Sequence, residues 1–158
     1  MGEERFQAWV GEHIGVLHRV ARAFAVGADQ HDLLQEILIA VWRAAPAFRG
    51  DSAASTFIFR VAHNRALTWR RGEVRRRRRD ETYQRLHVED VSGEDPLLEQ
   101  LYEAIRQLEP LDRSLVLLSL EGQSYAEIAA LHGLSETNIG ARLSRARQKL
   151  TQLTEQAP

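Results

Sequence analysis

The chain contains no cysteine. Disulfides, thiolate metal sites and a cysteine nucleophile are therefore excluded, and folding rests on packing alone. The absence fits a reducing compartment. No apolar run approaches the roughly 18 to 20 residues needed to cross a bilayer. The N-terminus, MGEERFQAWV, lacks the basic-then-apolar order of a secretory signal. A cytoplasmic chain without direct membrane insertion is expected. A glycine-rich phosphate loop is also missing, and the six histidines, His13, His18, His31, His63, His87 and His132, follow no metal-ligand spacing. Neither catalysis, nor a metal or other cofactor, nor a small-molecule substrate is expected. Net charge is nearly absent as well, at −1, but here the total hides the pattern.

From Arg49 to Arg79 there are ten arginines against Asp51 and Glu73, a local excess of eight. From Asp80 to Glu99 there are seven acids against Arg85, a deficit of six. Only the first block has the density of a polyanion-binding surface. The run RRGEVRRRRRD is read as a segment close to nucleic acid, against the plainer alternative of a solvated charge run. With 158 residues, 44% of them apolar, the chain has enough to build one ordinary domain or two small ones.

The periodicity is helical nearly throughout, and no period-two strand is visible. Phe6, Val10, Ile14, Leu17, Val20, Ala21 and Phe24 lay one apolar stripe along a first helix that Gly27 ends. Asp29 is expected to cap a second helix carrying Leu33, Leu34, Ile37, Leu38, Val41 and Trp42, with Pro46 as its stop. FRGDSAAS reads as a loop. A third helix begins near Thr56, with Phe57, Ile58, Val61, Ala62 and Leu67 as its apolar set, and leads into the arginines. Residues 80–95, DETYQRLHVEDVSGED, lose the period and have the composition of a linker. Pro96 opens the next helix, in which Leu97, Leu98, Leu101, Ile105 and Leu108 face one side until Pro110 breaks it. A short helix, DRSLVLLSLE, follows.

The C-terminal stretch carries the most explicit local signals. Ser124 with Glu127 forms a capping box, so a helix starts at Tyr125. Gly133 suits a left-handed C-terminal position, and Ser135 caps a second helix after a very short turn. Ile128, Ala129, Leu131, Leu134, Ile139 and Leu143 close the interior between them. This is a helix-turn-helix. Thr137, Asn138, Arg142, Arg145, Arg147 and Lys149 on the second helix offer donors to bases and phosphates, as a helix in a major groove requires. A capped helix pair used only for packing is the plainer alternative.

In order and over nearly its whole length, the chain resembles an RNA polymerase sigma factor of the extracytoplasmic-function group. The motifs are DLLQEILIAVWRAAPAFRG, STFIFRVAHNRALTWRRG, the acidic linker, and LEPLDRSLVLLSLEGQSYAEIAALHGLSETNIGARLSRARQKL. The resemblance implies an all-α chain of two small helical domains joined by a flexible acidic linker. Residues 1–79 would be a region 2-like domain, 80–95 the linker, and 96–158 a region 4-like helix-turn-helix domain. It implies a transcription initiation factor, not an enzyme, whose partners are core RNA polymerase, promoter DNA and an anti-sigma factor that could hold it at the membrane.

By the same resemblance, the helix from Asp32 to Arg43 is similar to the surface for the polymerase clamp helices, with Asp32, Gln35, Glu36, Trp42 and Arg43 in contact. The loop from Phe48 to Ser55, with Arg49 and Ser52, resembles the one that receives a flipped non-template base of the minus-ten element. Asn64 matches an asparagine that reads a base edge. An extruded base costs a few kcal/mol of unstacking, offset by stacking and edge hydrogen bonds, while cations track the strand; Arg60, Arg65, Arg70 and Arg71 would supply the charge. Trp69 is read as partly buried rather than stacked on a base. Phe57 stands where the family usually has tryptophan. Gly140 and Ala141 stand where members commonly carry a basic residue and a serine. Either the backbone approaches DNA closely there, or the minus-thirty-five element is read mainly through Asn138, Arg142 and Arg145. Two other readings compete. A stand-alone dimeric helix-turn-helix regulator would use the front half for dimerisation or a ligand, and an adaptor mimicking a sigma factor would bind partners without DNA.

Overall fold

A computed structural model describes residues 2–50, 53–69 and 95–156. The linker proper, the arginine block from Arg70 to Arg79, and the site candidates Ser52, Arg70 and Arg71 lie outside the described residues. The chain divides into two compact units, Met1–Asp90 and Val91–Pro158. All regular structure among the described residues is helical.

The first unit contains α1 (Glu3–Gly11), α2 (Ile14–Phe24), α3 (Ala28–Ala44), one 3-10 turn at Ala45–Ala47, and α4 over 54–69. The single first helix expected from the Phe6 to Phe24 stripe is two helices. Gly11 and Gly15 flank the break, each roughly 1 kcal/mol poorer than alanine inside a helix. The backbone turns through tight bonds there, with the His13 N–H donating to the Val10 carbonyl at 2.9 Å and the Val16 N–H to the His13 carbonyl at 3.1 Å. Asp29 is not the cap of the next helix. That position belongs to Gly27, whose φ of 61° only glycine adopts freely, while Asp29 lies buried in the first turn of α3. A carboxylate there faces the positive end of the helix dipole.

α2 packs on α3, and Leu17, Val20, Ala21 and Phe24 bury with Leu33, Ile37 and Val41. α4 starts two residues before the expected Thr56. Its interior stripe is Ile58, Phe59, Ala62, Ala66 and Trp69, whereas Phe57, Val61 and Leu67 are only half-buried. His63 lies inside this unit too, 1% exposed.

The second unit contains α5 (Pro96–Arg106), α6 (Pro110–Leu120), α7 (Tyr125–His132) and α8 (Glu136–Gln156). Asp95 caps α5 by accepting from the Leu97 N–H at 3.0 Å. The expected apolar face of α5 is corrected at its start. Leu97 and Leu98 are 72% and 40% exposed, and the buried contribution comes from Tyr102, Ala104, Ile105 and then Leu108. The period is right, but among the described residues the start of the stripe stays exposed. Pro110 does more than break α5: it sits at the first turn of α6, where its missing N–H costs nothing. α8 is the hub, packing on α5, α6 and α7.

His132 at the end of α7 meets Ser114 of α6, with Ser114 Oγ 2.9 Å from the imidazole Nε2. Burial holds this imidazole below its ordinary value of 6.5. The folded unit therefore favours the neutral ring, and its stability is whole above pH 6.5 and declines as the unfolded chain takes up a proton below it. In urea titrations at pH 7.5 and 5.5, the wild-type chain should lose more stability on acidification than His132→Gln. Equal losses would remove His132 as the source.

Candidate nucleic-acid interfaces

The helix-turn-helix is built from local bonds that the sequence spells out. The Glu127 N–H donates to Ser124 Oγ at 3.1 Å and the Ser124 N–H returns a bond to Glu127 Oε1 at 3.0 Å. Hydrogen bonding to the carboxyl from Ser124, its backbone N–H first and its hydroxyl second, holds Glu127 below the usual carboxylate range. Gly133 adopts the left-handed conformation with φ 68°, and the Leu134 N–H closes on the Ala129 carbonyl at 3.0 Å. Ser135 Oγ accepts from the Asn138 N–H at 3.1 Å, starting α8. Ile128, Ile139 and Leu143 are fully buried and fix the crossing of the two helices.

On α8 each residue advances the side chain by about 100 degrees. Asn138, Arg142, Arg145 and Lys149 therefore fall on one stripe about 60 degrees wide, with Thr137 beside it. Asn138, Arg145, Lys149 and Thr137 are exposed, and Arg142 is half-buried. Arg147 is not in this group. It projects about half a turn away from Asn138, and its guanidinium donates to Ser119 Oγ at 2.9 Å and to the Tyr125 hydroxyl at 3.3 Å. Arg142 is engaged as well, with Nε donating to Asn138 Oδ1 at 3.0 Å and Nη1 to Asp112 Oδ1 at 3.2 Å. Gly140 is half-buried beside Tyr125. A Cβ on it would lie in ordinary van der Waals contact with the Tyr125 ring, 3.4 Å away. Ser144 and Gln148, which the sequence reading passed over, are exposed on the side of α8 opposite the buried Ile139, Leu143 and Leu150. The direction of the buried stripe was the signal that could have found them.

In the first unit, α3 turns Leu33, Ile37 and Val41 inward and leaves Gln35, Ile39, Trp42 and Arg43 exposed. Ile39, 45% exposed, was not among the expected contacts, although its four-residue step from Gln35 places it on the same face. Gln35 approaches His31 at 3.4 Å, and Trp42 meets Phe6 of α1 edge-on at 4.8 Å. Asp32 is half-buried. Glu36 forms a 2.7 Å ion pair with Arg65 of α4. The sequence reading assigned these two residues to different partners, one protein and one nucleic acid; the fold brings them together across 29 positions.

Phe48 belongs to an aromatic cluster, 5.6 Å from Trp9 and 5.1 Å from Phe57, with Trp9 and Phe57 6.0 Å apart. That cluster anchors the start of the loop, after which Arg49 is exposed and Ser55 half-buried. Arg60, Asn64 and Thr68 form an exposed row along α4. Thr68 Oγ1 donates to the Asn64 backbone carbonyl at 2.8 Å, and Asn64 itself is exposed. Arg65 points away from this row, toward α3. Trp69 is 2% exposed, which is deeper than the partial burial expected.

Comparison with known proteins agrees with this geometry unit by unit. Residues 9–79 match the family profile Sigma-70 region 2, and residues 98–150 match Sigma-70, region 4. The ECF RNA polymerase sigma factor SigM of Mycobacterium tuberculosis is 30% identical over 149 residues, covering 89% of this chain and 72% of the relative. The solved structure of CnrH in complex with the cytosolic domain of CnrY is similar at a TM-score of 0.69 and 27% identity, over 99% of this chain and 92% of that one. The sigma factor RpoE in complex with the anti-sigma factor NepR from Bartonella quintana shares the fold at a TM-score of 0.69 and 23% identity, over 96% of this chain and 99% of that one. The chain thus belongs to the ECF group of RNA polymerase sigma factors, promoter-directing transcription initiation factors that are not themselves enzymes.

Proposed function

We propose that the two units divide promoter recognition between them. Residues 96–158 lay α8 in the major groove of the minus-thirty-five duplex, with Asn138, Arg142, Arg145 and Lys149 toward bases and phosphates and Thr137 at the rim. Arg147 acts at one remove, holding α8 to Ser119 and Tyr125. Residues 1–79 meet core polymerase through the exposed face of α3, with Gln35, Trp42 and Arg43 foremost and Asp32 and Glu36 at its edge. They hold the melted minus-ten strand on the loop from Phe48 to Ser55 and on Arg60 and Asn64. By family resemblance Arg49, Arg70 and Arg71 continue the cationic track and Ser52 adds a polar contact in the loop. Residues 80–95 connect the two.

The observation that carries this reading is the joint placement of Asn138, Arg142, Arg145 and Lys149 on one stripe of the second helix of a helix-turn-helix whose two helices are capped at their starts. Working in the cytoplasm fits a factor with these partners; among the described residues no helix is long and apolar enough to cross a membrane. An anti-sigma factor is the expected inhibitor, and a membrane-bound one would hold the chain at the membrane.

Run-off transcription from a promoter library with bacterial core polymerase tests the assignment. Initiation should depend on the protein, and Asn64→Ala should lower opening about tenfold at promoters sharing particular minus-ten bases, the value of one good base-edge contact. An Asn64→Ala protein that opens every promoter as the wild type does removes Asn64 from the site. Core polymerase that gains nothing from the wild-type chain overturns the reading as a whole.

A further inference from the structure

Arg142 lies on the groove-facing stripe of α8, yet its guanidinium is held from behind. Asp112, in the first turn of α6, accepts from Nη1 at 3.2 Å, and the two side chains are 22% and 30% exposed. Nε of the same group donates to Asn138 Oδ1 at 3.0 Å. Because the guanidinium is planar with its donors in a rigid fork, two fixed N–H directions fix the whole plane. Since that group only donates, Asn138 must turn its oxygen toward Arg142 and its NH2 away from it. One carboxylate thus orients two residues of the reading stripe from a helix outside the helix-turn-helix.

The same carboxylate alters the energetics of reading. Attraction between cations and phosphates is independent of sequence, so an Arg142 free to swing would strengthen binding to any duplex. Shared with Asp112, its charge is largely offset until a bond of equal quality replaces the ion pair. A base edge that accepts from the remaining N–H groups provides such a bond. A phosphate beside a wrong base must also approach the Asp112 charge. Partly exposed pairs of this kind are weak, which lets the right duplex displace or share the contact.

We propose that Asp112 is a positioning residue that sets the sequence selectivity of α8, orienting Arg142 and Asn138 and withholding the Arg142 charge from indiscriminate phosphate contact. This rests on the reading of α8 as the helix that enters the duplex.

The test uses holoenzyme reconstituted from core polymerase and the full chain, carrying Asp112→Asn, Asp112→Glu, Arg142→Ala or Asp112→Asn with Arg142→Ala. Two quantities are read: the upstream sequences recovered from a randomised duplex library, and the salt dependence of retention of one random-sequence duplex. Asp112→Asn should flatten base preference opposite α8 about tenfold and tighten random-duplex binding several-fold. It should also steepen the slope of log K against log salt by about 0.9, the value for one further neutralised phosphate. Asp112→Glu should stay near wild type, and the double variant should behave as Arg142→Ala alone. Additive effects in the double variant, or an unchanged salt slope and base preference accompanied by a lower melting temperature, would overturn the proposal and leave Asp112 a packing residue. If Arg142→Ala, Arg145→Ala and Lys149→Ala each leave library selection unchanged, the reading of α8 itself fails and takes this proposal with it.

Discussion

Replacing Arg113 with methionine should lower the stability of the C-terminal unit by about 3 kcal/mol, the usual effect of removing a buried partner from charge-assisted hydrogen bonds. Arg113 is 3% exposed. Its Nε donates to the Leu108 carbonyl at 2.9 Å, and its Nη2 donates to the Arg106 carbonyl. Arg106 is the last residue of α5, and Leu108 lies in the turn just after it. The last carbonyls of a helix have no partner within it and carry the negative end of its dipole. Arg113 therefore acts as a C-terminal cap supplied by the next helix, and it locks the turn between α5 and α6. Methionine keeps much of the volume of the arginine stem and removes the donors, so the loss reports the bonds rather than a cavity. Urea denaturation of Arg113→Met at neutral pH measures it. A loss below about 1 kcal/mol would mean that the carbonyls find other partners at little cost. Because α5 packs on α8, reading of the duplex should weaken in parallel.

Trp69→Ala should cost the N-terminal unit about 3 to 5 kcal/mol, the range for truncating a large buried aromatic side chain. The ring ends the α4 interior stripe that begins at Ile58, and at 2% exposure nearly all of its surface is lost from water. A cavity of that size relaxes only partly. α4 also carries Asn64 and the Arg65 that grips Glu36, so the candidate polymerase and single-strand surfaces would lose their common support. Thermal unfolding of the full chain, followed by helix content, should show an early transition for Trp69→Ala and a smaller shift for Trp69→Phe. A Trp69→Ala chain that melts like the wild type but fails to hold single-stranded DNA would return the ring to a role on the nucleic acid.

The parts of the fold that were legible are those set by neighbours three or four residues apart. The Ser124–Glu127 box, the left-handed Gly133, the Ser135 cap and the apolar steps through Leu33, Ile37 and Val41 are all recovered in the structure. The break near His13 was missed because the apolar stripe from Phe6 to Phe24 keeps its step through it, and periodicity does not register where backbone bonds shorten to the three-residue kind. Leu97 and Leu98 were assigned to the core because they continue a stripe. Whether a stripe is covered depends on what packs opposite it, which no local pattern encodes.

Residue types at the candidate sites were legible for the same reason, and their company was not. Asn138, Arg142, Arg145 and Lys149 share a stripe by helical geometry alone, whereas the bond from Arg142 to Asp112 spans 30 positions and that from Arg65 to Glu36 spans 29. By itself the sequence determined the caps at Ser124, Gly133 and Ser135, the helix-turn-helix and the family, since each depends on short-range hydrogen bonds or on motif order along the chain. Only the tertiary structure decided which cations remain available to a ligand. Two charges far apart along the chain come within hydrogen-bond distance only where packed side chains set the angle and rotation at which their helices cross.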